Sequence, residues 1–203
     1  MTQRNIFITG ISTNVGKTIA SAIVTEALKA DYWKPIQAGD LNYCDSQKVK
    51  SLVSNKKSFI FDNSYALKTA VSPHLAAQLE HVTINLNKIK SPKTENHLVI
   101  EGAGGIYVPL NNTDTIIDLI KPDYEVIVVS RHYLGSINHT LLTIETLRNR
   151  KIIVSGIIFN GNKNEASESI ILKKTGVKMI GHINEEPYFD RNVIKEYAKT
   201  FDI

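Results

Sequence analysis

The chain has 203 residues, 42% hydrophobic and 22% charged, with a net charge of +4; that is enough for one sizeable core, and length favours a single domain over 1–203. Its lysines are dispersed, with no basic block or interleaved aromatics, which argues against nucleic acid, and its lone cysteine, Cys44, excludes an internal disulfide. No apolar run approaches the ~20 residues of a membrane span and no leader precedes "RNIFITG", so a cytoplasmic protein without a membrane partner is expected.

In chain order, a strand is predicted over 6–9. A helix follows over 17–30, where Ile19, Ala22, Ile23, Ala27 and Ala30 fall near one face. Residues 44–92 are the least patterned, with a short helical stretch at 72–80. Apolar strands are then predicted over 98–101, 126–130 and 152–159. They alternate with helices over 137–147, where Leu141, Ile144 and Leu147 repeat, and over 166–174. A closing strand over 177–182 and a C-terminal helix complete the chain. The strand runs are continuously apolar, as in strands buried on both faces, and their alternation with helices predicts an α/β fold with a mostly parallel central sheet flanked by helices. In such sheets ligands sit beyond the carboxyl ends of the strands.

"GISTNVGKT", from Gly10 to Thr18, has five residues between its glycines where the usual phosphate loop has four, so Ile11 stands in the place of glycine. The context is nevertheless right, with a strand before and a helix after. Backbone N–H groups of Asn14, Val15, Gly16, Lys17 and Thr18 are expected to face a polyphosphate at the helix N-terminus. Lys17 adds charge toward the terminal phosphates, and the Thr18 hydroxyl is a Mg²⁺ ligand candidate. In "HLVIEGAGG" an apolar strand delivers Glu101 to a turn with Gly102, Gly104 and Gly105. A carboxylate on a buried strand needs a partner, and a cation supplies one; a turn cap is the bland alternative. The glycines let backbone approach phosphate closely. Lys34 in "YWKPIQAG" and Asp45 are anonymous taken singly.

Together, "TGISTNVGKT", "KPIQAGD", "SPHLAA", "VIEGAGGIYVPL" and "LGSINHTLLT", in this order, resemble the dethiobiotin synthetases, whose loop carries the same extra residue. The resemblance covers residues 6 to about 161. It implies a P-loop NTPase-type three-layer sandwich, a homodimer, and ATP-dependent closure of a ureido ring on 7,8-diaminopelargonate with CO₂ or bicarbonate. It also implies Mg²⁺ held by Thr18, Asp45 and Glu101, and Lys17 and Lys34 as the cations flanking the γ-phosphate and a carbamate. Nucleotide contacts carry over to Asn14 through Ile19, to Glu101, Gly102, Ala103 and Gly104, and to Asn160 and Gly161 near adenine. Substrate contacts carry over to Thr13, Ala38, Leu134, Gly135, Ser136, Ile137 and Asn138. In this last set Ser136 reads as the N-cap of a helix that receives the substrate carboxylate of the partner subunit.

The chain departs from the family in three places: Ala38 where a hydroxyl is usual, Asn14 where some members are acidic, and Asn184 where proline is common. The alternative is a nucleotide-switch ATPase of the partitioning or metal-delivery kind. Those carry an early lysine in the loop, where this chain has Ser12. The six histidines show no H-x-x-x-H spacing, and His74, His132 and His139 read as packing or hydrogen-bonding residues.

Overall fold

The computed structural model describes residues 3–203. Its elements in chain order are β1 (Asn5–Gly10), α1 (Lys17–Leu28), β2 (Asp31–Trp33), β3 (Ile36–Ala38), α2 (Asp45–Leu52), β4 (Ile60–Phe61), β5 (Tyr65–Leu67) and α3 (Pro73–Leu79). They continue with β6 (Leu98–Gly105), β7 (Tyr124–Arg131), α4 (Ser136–Asn149), β8 (Ile153–Asn160), α5 (Glu165–Thr175), β9 (Met179–Ile183) and α6 (Arg191–Thr200).

Seven strands form one parallel sheet in the order β4-β2-β6-β1-β7-β8-β9. The apolar runs predicted from sequence are its middle strands. Ile6, Phe7 and Ile8 of β1, and Val126, Val128 and Val129 of β7, have no exposed surface, so these strands are covered on both faces. Helices α1, α2 and α6 pack together, as do α4 and α5, the latter with α4 lying on β7 and β8. This is a three-layer α/β sandwich, and the sheet is wholly parallel where a mostly parallel one was expected. A two-stranded parallel sheet of β3 and β5 stands apart, with α3 against it. Among the described residues no helix is long and apolar enough to cross a membrane.

The sheet order reverses at β1, which lies between β6 and β7. The loop after β1 therefore opens at a topological switch point, where this architecture leaves a crevice beyond the strand ends.

Candidate active site

Ile11, the extra residue, directly follows β1 and is tied to β7. Its N–H donates to the Val129 carbonyl at 3.1 Å, extending the β1–β7 pairing, and its side chain is buried. Beyond it the chain turns through left-handed conformations at Asn14 (φ 57°) and Gly16 (φ 96°). Glycine adopts this region without strain and asparagine tolerates it, and turns of this kind gather N–H groups into an anion-binding concavity. Helix α1 begins at Lys17 with Gly16 as its N-cap and no side-chain cap bond. Its first-turn donors are thus available to an anion.

Three side chains meet on Glu101 of β6: Thr18 from the start of α1, Tyr32 from β2, and Lys34 just after β2. Its Oε1 accepts from Lys34 Nζ at 2.8 Å and from the Thr18 hydroxyl at 3.0 Å, while Oε2 accepts from the Tyr32 hydroxyl at 2.9 Å. Lys34 Nζ also lies 2.7 Å from Asp45 Oδ2. The carboxylate that β6 delivers is almost wholly buried, and so is the Lys34 ammonium. A buried charge is tolerable only when paired and hydrogen-bonded, and here each is. The partner expected for Glu101 from sequence was a bound cation; the protein itself supplies one in Lys34.

Electrostatics separate the two lysines. Burial pulls the Lys17 ammonium down to about 8, with Glu101 opposing that fall and the nearby Lys34 charge adding to it. Its Nζ rests on the Ser12 carbonyl at 3.0 Å. Burial would lower Lys34 as well, but the charges of Glu101 and Asp45 outweigh it and hold Lys34 above its ordinary value. For Asp45, burial pushes upward and Lys34, then Lys48, more than compensate, leaving the carboxyl below its usual range. Lys34 is a fixed positive charge, whereas Lys17 waits for an anion.

A cavity of about 1330 Å³ collects Thr13, Asn14, Gly16, Lys17, Thr18, Ile19, Lys34, Ala38, Asp45, Glu101, Ala103 and Gly104 on its wall. Both lysines therefore face one space. Of the other expected nucleotide residues, Val15 is buried beneath the loop. Asn160 ends β8 and donates from Nδ2 to the Val15 carbonyl at 2.8 Å, with Gly161 behind it. Gly102 does not approach the loop: a Cβ there would lie 3.1 Å from the Phe7 ring, so its smallness serves core packing. Gly104 (φ 65°) does lie beside the loop, with its missing Cβ 3.3 Å from the Thr13 hydroxyl.

Leu134, Gly135, Ser136, Ile137 and Asn138 lie off this cavity, at the start of α4. Ser136 is not the N-cap expected from sequence. Gly135 (φ 102°) takes that place because the chain enters the helix through a left-handed turn, and Ser136 becomes the first helical residue, buried, its carbonyl accepting from the Thr140 hydroxyl. Like α1, α4 starts without a side-chain cap bond, whereas α5 and α6 are capped by Asn164 and Asp190.

Sequence reasoning missed Tyr32. Only with β2 recognised as a strand would the signal appear: in extended chain, residues two apart share a face, so Tyr32 and Lys34 reach the same carboxylate. It also missed Lys48 and Arg191 on the cavity wall; the guanidinium of Arg191 ties α6 to the Ser51 carbonyl at 2.9 Å.

A family model described as an AAA domain matches residues 4–193. A protein of Christiangramia forsetii named ATP-dependent dethiobiotin synthetase is 59% identical over 198 residues, 98% of this chain and 96% of its own. One of the same name from Cytophaga hutchinsonii is 54% identical over 203 residues, 98% of each chain. Among solved structures, the septum site-determining protein MinD of Pyrococcus horikoshii, complexed with Mg-ADP, superposes with a TM-score of 0.63 at 16% identity, over 96% of this chain and 86% of that one. A ParA family ATPase of Chlorobium tepidum gives 0.55 at 12%, over 98% and 99%. The partitioning ATPases thus share the fold at low identity, while the synthetases share the sequence from end to end; the chain belongs to the ATP-dependent dethiobiotin synthetase family.

Proposed function

We propose that this enzyme closes the ureido ring of dethiobiotin on 7,8-diaminopelargonate, consuming CO₂ and ATP, and that it works as a single-domain subunit of a cytoplasmic homodimer. One substrate amine takes up CO₂ and releases a proton, giving a carbamate. A carbamate oxygen attacks the γ-phosphorus, the bond to the bridging oxygen breaks, and ADP departs. The second amine then attacks the carbonyl carbon, losing a proton as phosphate is expelled and the ring closes.

The observation that carries this reading is the meeting of Lys34 with Asp45 and Glu101 on the cavity that the phosphate loop also lines. Two anions, a triphosphate and a carbamate, have to be brought together. Fixed ammonium groups in a largely buried site offset that repulsion and stabilise the charge that grows between them. Lys17 faces the phosphates from the loop, and Lys34 faces the carbamate from the end of β2. Placement and charge are most of what phosphoryl transfer asks of a protein.

Thr18, Asp45 and Glu101 would hold Mg²⁺. One hydroxyl and two carboxylates, drawn together around the Lys34 ammonium, are the hard oxygen donors that this ion prefers. Its chemistry there is neutralisation of phosphate charge. Asn160 and Gly161 border the base, and Thr13 and Ala38 the diamine, with Ala38 giving no hydroxyl contact.

Leu134 is fully exposed and Tyr133 is 39% exposed beside the uncapped start of α4. In the homodimer this corner reaches the partner's cavity, where the free N–H groups of α4 receive the substrate carboxylate.

Phosphate release from MgATP, with and without diaminopelargonate and bicarbonate, tests the proposal. Turnover that depends on both supports it. Turnover indifferent to the diamine and raised by a protein or membrane partner would favour the nucleotide-switch alternative.

A further inference from the structure

His132, Glu168 and His182 come together next to Asn160 and Gly161, although 50 residues of sequence separate the two histidines. His132 follows β7, Glu168 lies in α5 and His182 in β9. Their side chains are nearly buried, at 10%, 7% and 12% exposure. Glu168 Oε1 lies 3.0 Å from His132 Nε2 and 3.2 Å from His182 Nδ1, and one potential ligand atom from each residue lies within 4.8 Å of the others.

Proton placement inside this cluster is constrained. His182 Nε2 is 2.7 Å from the Gly161 carbonyl. A carbonyl only accepts, so that nitrogen carries the hydrogen. In a neutral ring Nδ1 then bears a lone pair, and it makes no hydrogen bond although it is buried. That nitrogen lies 3.2 Å from a carboxylate oxygen that already has the His132 ring against it and the Asn164 N–H at 3.3 Å. Two electron-rich atoms this close, shielded from water, need positive charge between them.

We propose that His132 Nε2, His182 Nδ1 and a Glu168 carboxylate oxygen bind one divalent ion of the zinc class. The donor set is two imidazoles and a carboxylate, which suits zinc and not magnesium. With bonds of about 2.0–2.1 Å, ligand atoms of a tetrahedral site stand roughly 3.3 Å apart, close to the two nitrogen–oxygen separations seen here. The Gly161 carbonyl is then the outer partner that fixes the His182 ring, the usual arrangement for a histidine ligand. The His132 ring is held flat against Phe159, with centroids 5.5 Å apart. Such an ion staples the ends of β7 and β9 to α5 and braces the tip of β8 between them, where the His132 N–H donates to the Asn160 carbonyl. Its role is structural.

The test is titration of the chelator-treated full chain with Co²⁺ in excess Mg²⁺, read by visible absorption, with Zn²⁺ as competitor. The expected result is one equivalent with a tetrahedral spectrum, displaced by Zn²⁺. His182→Gln and Glu168→Gln should each weaken it by at least about 100-fold, since even outer-shell changes cost 10–100-fold. Asp45→Asn, in the phosphate cavity, should leave it intact. If a variant fails to fold, X-ray absorption of the Zn²⁺-loaded unmodified protein decides, and two imidazoles in the shell support the site. An all-oxygen shell, a signal lost in Asp45→Asn, or no binding at micromolar metal overturns it; with no binding, the cluster is a proton-bridged histidine–carboxylate pair.

Discussion

Lys34 and Glu101 form a salt bridge of 2.8 Å in which both side chains are almost wholly withdrawn from water. On sequence grounds alone Lys34→Ala removes a reacting charge and leaves the fold intact. The pairing changes the second half of that expectation. Removing one partner of a buried pair typically costs about 3–5 kcal/mol. Lys34→Ala should therefore lower the denaturation midpoint as well as cut turnover by about 100-fold or more. Urea unfolding beside steady-state kinetics checks both. A variant of unchanged stability would show that the pair is solvated in solution.

Tyr32 tests the same carboxylate from its other side. Tyr32→Phe deletes the donor to Glu101 Oε2 and keeps the ring, and a buried acceptor left short costs about 1–3 kcal/mol. The expected outcome is a loss of stability in that range with a smaller effect on turnover than Lys34→Ala, because the ammonium remains. Comparing the two variants by denaturation and kinetics separates support of the carboxylate from charge on the reaction.

Lys17 should give the free enzyme a pH signature. Its folded-state value of about 8 lies below its ordinary 10.5, so in that window the unfolded chain holds more protons than the folded one. Stability then rises with pH from 8 to 10.5, and the destabilisation is fully present below 8. Its size is on the order of 3 kcal/mol. Relative to Lys17→Met, the unmodified protein should gain stability across that window. Polyphosphate binding should in turn draw a proton onto Lys17, so calorimetry at pH 8.5 in buffers of differing ionisation enthalpy should detect uptake that Lys17→Met lacks.

Gly16 is required twice over. Its φ of 96° disfavours any side chain, and a Cβ would collide with the Asn160 amide. Gly16→Ala should abolish nucleotide binding, and Asn160→Ala should not rescue it, because relieving the collision leaves the backbone strain of about 1–3 kcal/mol and also removes a side chain proposed to border the base. Binding of a fluorescent ATP analogue to the single and double variants measures this. Rescue by Asn160→Ala would show that the collision alone matters.

The sheet is legible in the sequence where its strands are long and doubly buried: the runs around Phe7, Ile100, Val128 and Ile158 announce themselves. The short strands do not. Asp31–Trp33 and Ile60–Phe61 have too few residues for any period to show, and they take their structure from neighbours across the sheet. The site follows the same division. Lys17 and Thr18 sit in a local pattern that spells its own geometry, and Glu101 lies on an obvious apolar strand, although that strand runs on to Gly105 where a turn was expected. Tyr32, by contrast, depends on recognising the three-residue strand that carries it. The helix start at Gly135 is misread because a serine next to it looks like a cap, while the left-handed turn that excludes it is visible only in the backbone. The histidine cluster has no spacing to betray it, since its members arrive from β7, α5 and β9.

The most direct test of carbamate phosphorylation follows one oxygen atom. When the carbamate oxygen attacks phosphorus and the second amine later breaks its bond to carbon, that oxygen leaves with the phosphate. With ¹⁸O-labelled bicarbonate in ordinary water, the phosphate released during turnover should carry one ¹⁸O atom, read by mass spectrometry before label exchanges out. Unlabelled phosphate, formed at the rate of ring closure, would mean that water and not the carbamate receives the phosphoryl group.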